Sequence, residues 1–228
     1  METEQTIINQ YLDYLNTKEF PCIAAKAALA KNQIRCMVAH HMACPEDDQR
    51  ILEFLYTFVD DYRSSKKSFQ SAAIIFKEPV IQNEMMFDGL LWQRLNALSF
   101  LDKQKYAHDK RVDDDPASKS FSFSLKEEAF FIIGLHPASS RRARQFRYPA
   151  LVFNPHAEFE KLRRANRYEQ MKRVVRKRDI AYSGSVNPML KDFGEDSETF
   201  QYSGIRYTAD WKCPLNSHHE ETKHNSTP

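Results

Sequence analysis

Apolar residues recur every three or four positions from Glu4 to Leu15, where Ile7, Ile8, Tyr11, Leu12 and Leu15 form one stripe. That period predicts an amphipathic helix with one buried face. Phe20-Pro21-Cys22 interrupts it, because proline cannot continue the pattern. Residues 24–31 (AAKAALAK) are strong helix formers and predict a second helix. From Gln33 to His40 the period drops to two, with Ile34, Cys36 and Val38 alternating, and a strand is expected. Pro45 and the acids Glu46, Asp47 and Asp48 mark a helix start, since negative charge suits the positive end of a helix. Ile51, Leu52, Leu55, Phe58, Val59 and Tyr62 then give that helix its core face.

The short run Ala72–Phe76 reads as a buried strand. Asn83 is placed to cap a helix reaching about Leu101, with Phe87, Leu90, Leu91, Leu95 and Leu98 inward. Phe121-Ser122-Phe123-Ser124-Leu125 alternates, and after Lys126-Glu127-Glu128 the chain resumes with Ala129–Leu135. Two such runs around a short polar link predict a β-hairpin. Ala150–Phe153 reads as a further strand. His156–Arg178 reads as one long helix packing through Phe159, Leu162, Met171, Val174 and Val175. The last fifty residues read as irregular, with a polar tail at 216–228. The order predicts an α/β (α+β) protein: one domain over 1–215, a mixed sheet with a β-hairpin, and helices packed on at least one face.

Composition narrows the picture. The chain has 228 residues, 42% of them hydrophobic and 28% charged, so it can bury a core. No apolar run approaches the roughly 18 residues of a membrane helix. Met1–Gln10 lacks the basic and apolar regions of a secretion signal, so a cytoplasmic protein with no membrane partner is expected. The four cysteines, Cys22, Cys36, Cys44 and Cys213, form no CxxC pair and are expected as thiols. The net charge of +2 hides an asymmetry: Ser140–Arg178 holds thirteen Lys and Arg against three Glu, a net +10. Such a segregated field suits an anionic ligand or partner.

Candidate chemistry gathers around two histidines. In Phe131-Ile132-Ile133-Gly134-Leu135-His136 a buried strand ends at an imidazole, and the next loop carries Arg141, Arg142 and Arg144. Guanidiniums capture carboxylate or phosphate in bidentate fashion. In Leu151-Val152-Phe153-Asn154-Pro155-His156 the design repeats. Cys213, in Asp210-Trp211-Lys212-Cys213-Pro214, is a third donor, and its thiolate would be a metal ligand. Each has a plainer reading, as a core histidine, a helix-terminus residue and a lone thiol. Glu84 and Asp88, four apart beside Trp92, would grip a cation or pair with Arg94. Neighbouring His40 and His41 point to opposite faces of a strand and do not make one site. The chain has no GxGxxG, P-loop, HExxH or GxSxG, so phosphate-loop and serine-hydrolase chemistry find no support. The basic stretch lacks the aromatic interleaving of a base-stacking surface, and no nucleic-acid partner is expected.

Several longer segments occur together: Phe20-Pro21-Cys22, FDGLLWQRL (Phe87–Leu95), FSFSL with FFIIGLHPASSR (Phe121–Arg141), PALVFN-x-H-x-x-FE (Pro149–Glu160), GSVNPML (Gly184–Leu190), QYSG (Gln201–Gly204) and DWKCP (Asp210–Pro214). In this order they resemble the YqcI/YcgG family, from about Phe20 to Pro214. Within that family the chain is similar to heme-dependent guanidine N-hydroxylases of the guanitoxin-biosynthesis type. The resemblance implies heme b, O₂ activation with an electron donor, and oxygen insertion at a guanidine nitrogen of arginine or a related small molecule. It implies an axial ligand, for which His136 comes first, then His156, then Cys213. Arg141, Arg142 or Arg144 would clamp the propionates. Phe121, Phe123, Phe131, Trp92 and Phe146 would wall the porphyrin, and Glu84, Asp88 or Glu158 would hold the guanidinium. A non-catalytic heme-binding or heme-sensing protein is the alternative. A binder of nucleic acid or an acidic partner through Ser140–Arg178 is the third reading.

Overall fold

The structure is a computed structural model and describes residues 2–185, 193–208 and 210–216. Helix α1 (Glu4–Asn16) starts at Thr3, whose hydroxyl accepts from the Thr6 amide, and buries Ile7, Tyr11 and Leu15. Helix α2 (Ile23–Ala30) is capped by the Cys22 thiol. Strand β1 (Ile34–His41) leads through a 3-10 turn to α3 (Asp48–Ser64), which buries all six residues expected on its core face. Each such side chain contributes roughly 1.5–3 kcal/mol on leaving water, offset by the entropy of ordering the helix. Strand β2 (Ser71–Glu78) and helix α4 (Glu84–Asp102) follow, with the Asn83 side chain accepting from the Met86 amide at 2.8 Å.

Strands β3 (Phe123–Leu125) and β4 (Glu128–Leu135) form the hairpin, turning through Lys126 and Glu127 at φ 50° and 56°. Strand β5 (Ala150–Pro155) completes a five-stranded sheet in the order β1-β2-β5-β4-β3. Only β1 and β2 are parallel; the other pairs are antiparallel. Side chains alternate across it. Met37, Ala39, Ile74 and Phe76 join the cluster under α3 and α4, whereas Val38, Ala73 and Ile75 join α1. Helices therefore cover both faces, and the architecture has three layers.

Three expectations change. The first strand of the expected hairpin is shorter than Phe121–Leu125, starting at Phe123, and all five residues are buried. Ser122 donates to Glu198 Oε2 at 2.9 Å and Ser124 Oγ accepts from the Asp109 amide at 3.0 Å, so the hydroxyls find partners inside. The long helix from His156 is two helices, α5 (His156–Arg164) and α6 (Tyr168–Ser183). Asn166 adopts φ 52°, a left-handed state that asparagine tolerates and that ends a helix. Val174 is then 41% exposed rather than packed. The segment after Ser197 is not wholly irregular: α7 (Thr199–Tyr202) is buried, and Arg144 donates to the carbonyls of Gln201 and Tyr202 at 2.6 and 2.8 Å. Of the Gly184–Leu190 motif, residues 186–190 lie outside the described residues, as does the tail from 217. Among the described residues no helix is long and apolar enough to cross a membrane.

Candidate functional site

The two histidines sit at opposite ends of the sheet. The β4–β5 register pairs Leu135 with Ala150 and Phe130 with Pro155. His136 follows the first end and His156 the second, so roughly 20 Å of strand separates them at about 3.4 Å per residue. They cannot share one metal ion.

At the His136 end the imidazole is buried and stacked on Phe87, ring centroids 4.2 Å apart. Gly134 makes room for that ring, since a Cβ there would stand 2.5 Å from Phe87. Burial pushes the His136 pKa down to about 4, Glu84 opposing and Arg144 assisting, so the ring is neutral. Its Nδ1 is buried without a partner. The surrounding charges are committed. Glu84 accepts from the Ser140 amide and hydroxyl, both at 2.8 Å. Arg141 pairs with Asp179 at 2.6 Å, Arg142 lies 4.5 Å over Tyr182, and Arg144 holds backbone carbonyls.

At the His156 end the chain forms a half-open cleft of about 90 Å³, lined by Phe131, His156, Phe159, Arg163, Tyr168, Phe193, Glu198 and Gln201. That volume is below the roughly 300–1,000 Å³ of small-molecule pockets, so a ligand of that size would need the cleft to widen. Strand β5 stops at Pro155 and α5 begins at His156, which brings the imidazole to the rim of the sheet. Its Nδ1 lies 3.3 Å from Glu198 Oε1, and its Nε2 lies 3.6 Å from Glu160 Oε1. Glu198 is only 5% exposed. The Ser122 hydroxyl (2.9 Å) and the Tyr202 phenol (3.3 Å) both donate to its other oxygen. That carboxylate stands beside Nδ1, although Nδ1 makes no hydrogen bond among the described residues. Phe193 packs on the imidazole at 4.4 Å, and Phe131 meets Phe159 edge to face at 5.9 Å. Arg163 is ion-paired to Glu160 and lies 4.4 Å over Tyr168 and 5.9 Å from Phe193.

The remaining candidates are spread elsewhere. Asp88 accepts from Trp92 Nε1 at 3.0 Å and from the Tyr207 phenol. Glu158 is filled by Tyr62, the Phe69 amide and Lys161 at 3.0, 2.8 and 2.7 Å. Trp92, Phe121 and Phe123 belong to the core beneath α4, and Phe146 to the opposite face with α1. Cys213 packs against that first core, and burial pushes its thiol up to about 11, away from the thiolate. Of the residues singled out from sequence, only His156 and Phe131 line the cleft. Glu198 was missed because it stands 42 residues from His156 in the chain. The one local signal was an acid just before the buried QYSG segment.

An iron porphyrin needs an imidazole, apolar walls and room; the His156 cleft supplies the imidazole and aromatic walls, and it would have to widen to admit the ring. Both histidines leave Nδ1 without a hydrogen bond among the described residues, and His156 suits the donor role better because it lines the cleft whereas the His136 ring is enclosed by the core. Among the described residues no group of three or more His, Cys, Asp or Glu forms a cage for a bare metal ion.

Comparison with known proteins places the chain. The YqcI/YcgG family profile matches residues 11–216. The uncharacterized protein YqcI of Bacillus subtilis (strain 168) is 28% identical over 199 residues, covering 80% of this chain and 76% of that protein. No solved structure matches. A match that spans every strand and helix from within α1 to the described C-terminal end shows that the chain belongs to the YqcI/YcgG family.

Proposed function

We propose that the cleft binds heme b through His156 and that the chain hydroxylates a guanidine nitrogen of arginine or a related small molecule. The observation that carries the reading is the His156–Glu198 pair, an imidazole at an aromatic cleft with a buried carboxylate 3.3 Å from its Nδ1. Heme, when bound, supplies O₂ activation and oxygen insertion, which no side chain can do.

The chain's own residues then have distinct tasks. Glu198 Oε1 stands 3.3 Å from His156 Nδ1 without a formed hydrogen bond, and the Nε2 lone pair would be the one presented to a ligand. Phe131, Phe159 and Phe193 keep water from the cleft and strengthen electrostatic interactions inside it. Glu160 and Arg163, with side chains 36% and 27% exposed, form an ion pair on the Nε2 side of the ring. Arg163 would hold a propionate. The guanidine substrate is the one implied by the motifs shared with the guanidine N-hydroxylases.

The test is a hemin titration followed by absorbance. Wild type is expected to show a Soret band, and His136→Ala to keep it. His156→Ala should lose binding, and Glu198→Gln should weaken it by about tenfold or more. With arginine, O₂ and a reductant, the product should gain one oxygen at nitrogen by mass. A protein that stays colourless with hemin refutes the reading. A heme spectrum without product favours the non-catalytic alternative.

A further inference from the structure

Among the described residues, α6 has an unpartnered face beside the cleft. At 100° per residue, Ile180, Arg173, Lys177, Ala181 and Val174 fall within about 120° of arc. All five are exposed, Val174 by 41% and Ile180 by 50%. Arg173 and Lys177 make no ion pair among the described residues, and Arg164 and Arg167 extend the positive field toward α5. No carboxylate shares the arc: Glu169 pairs with Lys172 at 2.9 Å, and Asp179 is buried against Arg141. The other side of the helix is accounted for. Arg178 donates to the carbonyls of Lys18 and Phe20, both at 2.9 Å, and Tyr182 carries Arg142. The exposed side is an apolar centre with free cations, the composition of a docking patch for an acidic protein.

The position says which acidic protein. Tyr168, the first residue of α6, lines the cleft, and Val174 lies about 9 Å further along the axis at 1.5 Å per residue. The inference rests on the heme reading above. Hydroxylation places one atom of O₂ between nitrogen and its hydrogen and releases the other as water. That balance consumes two electrons and two protons. The sequence has no GxGxxG or P-loop for a nucleotide reductant. We infer that the Arg173–Lys177–Val174–Ile180 face docks an acidic electron-transfer protein, of the ferredoxin or flavodoxin kind, and that electrons enter from this side.

The full chain is titrated with a plant-type ferredoxin and with a flavodoxin at about 20 mM salt, where the screening length is long. Binding is expected to weaken steeply as salt rises. The double charge reversal Arg173→Glu/Lys177→Glu should weaken it at least tenfold. The equal charge change Lys66→Glu/Lys67→Glu, in the exposed link between α3 and β2, should cost about twofold, the effect of net charge alone. Equal losses from both pairs, or no binding of either protein, overturn the docking face. So does single-stranded RNA that binds more tightly than both proteins and is lost in the α6 variant. Hemin uptake is read separately and judges only the heme reading; the protein affinities judge the docking face.

Discussion

Gly134 shows how one missing methyl group shapes this protein. It lies in β4, where a strand former would be expected, and it lets Phe87 approach close enough to support the His136 ring. Gly134→Ala places a Cβ 2.5 and 2.8 Å from Phe87 and 3.0 Å from Leu91, all inside the core. The expected cost is about 1–3 kcal/mol, the usual effect of overpacking. A urea midpoint equal to that of wild type would contradict it. Asp102 makes a different residue-scale prediction. Burial raises its pKa from 3.8 to about 6 while the Lys126 amide, at 3.0 Å, stabilises the charge. The folded state therefore holds the proton more tightly than the unfolded chain. This group's contribution is greatest below about pH 4 and is lost as pH rises to about 6. Asp102→Asn should gain stability relative to wild type across that window and stay level above it. Thermal melts at pH 4, 5, 6 and 7 would show this, and a constant offset would refute it.

At the scale of elements, local chemistry sets boundaries and packing sets lengths. The β3–β4 hairpin turns through two residues at positive φ, positions where Asn-Gly is favoured. Here Lys126 and Glu127 carry that strain, at about 1–2 kcal/mol per residue. Lys126 has a reason to stay, since its ammonium reaches Asp60 at 2.6 Å. Glu127 contributes its carbonyl to Arg63, and any residue could supply that. Glu127→Gly is expected to stabilise the protein by about 0.5–1 kcal/mol, because glycine takes positive φ freely at some cost in unfolded-state entropy. Denaturant unfolding checks the sign. The α5–α6 break belongs to the same scale. Charged residues at helical period run through it, and the only warning in the sequence was Asn166.

For the whole molecule, Arg144 joins parts that are distant in the chain. It is buried at 8% exposure and donates to the carbonyls of Gly134, Gln201 and Tyr202. It thereby ties the segment that carries Glu198 to the end of β4. Arg144→Lys keeps a charge but loses the planar set of donors, and should cost about 3 kcal/mol or more. Limited proteolysis should then cut first between Ser197 and Leu215; unchanged cleavage would refute the link. Because Glu198 moves with this segment, hemin affinity should fall in the same variant.

Period and capping chemistry were local, so the helices through α4, the hairpin and all five strands were legible in the sequence. So was the family resemblance, carried by contiguous motifs. The pairing of His156 with Glu198 was not legible, nor was the assignment of Arg144, Asp88 and Glu158 to internal bonds. Those depend on where β5 lies in the sheet and on α7 folding back beneath it. Sequence spacing encodes which face of an element is apolar. Only the assembled sheet decides which buried carboxylate meets which imidazole, because that contact joins residues 42 positions apart.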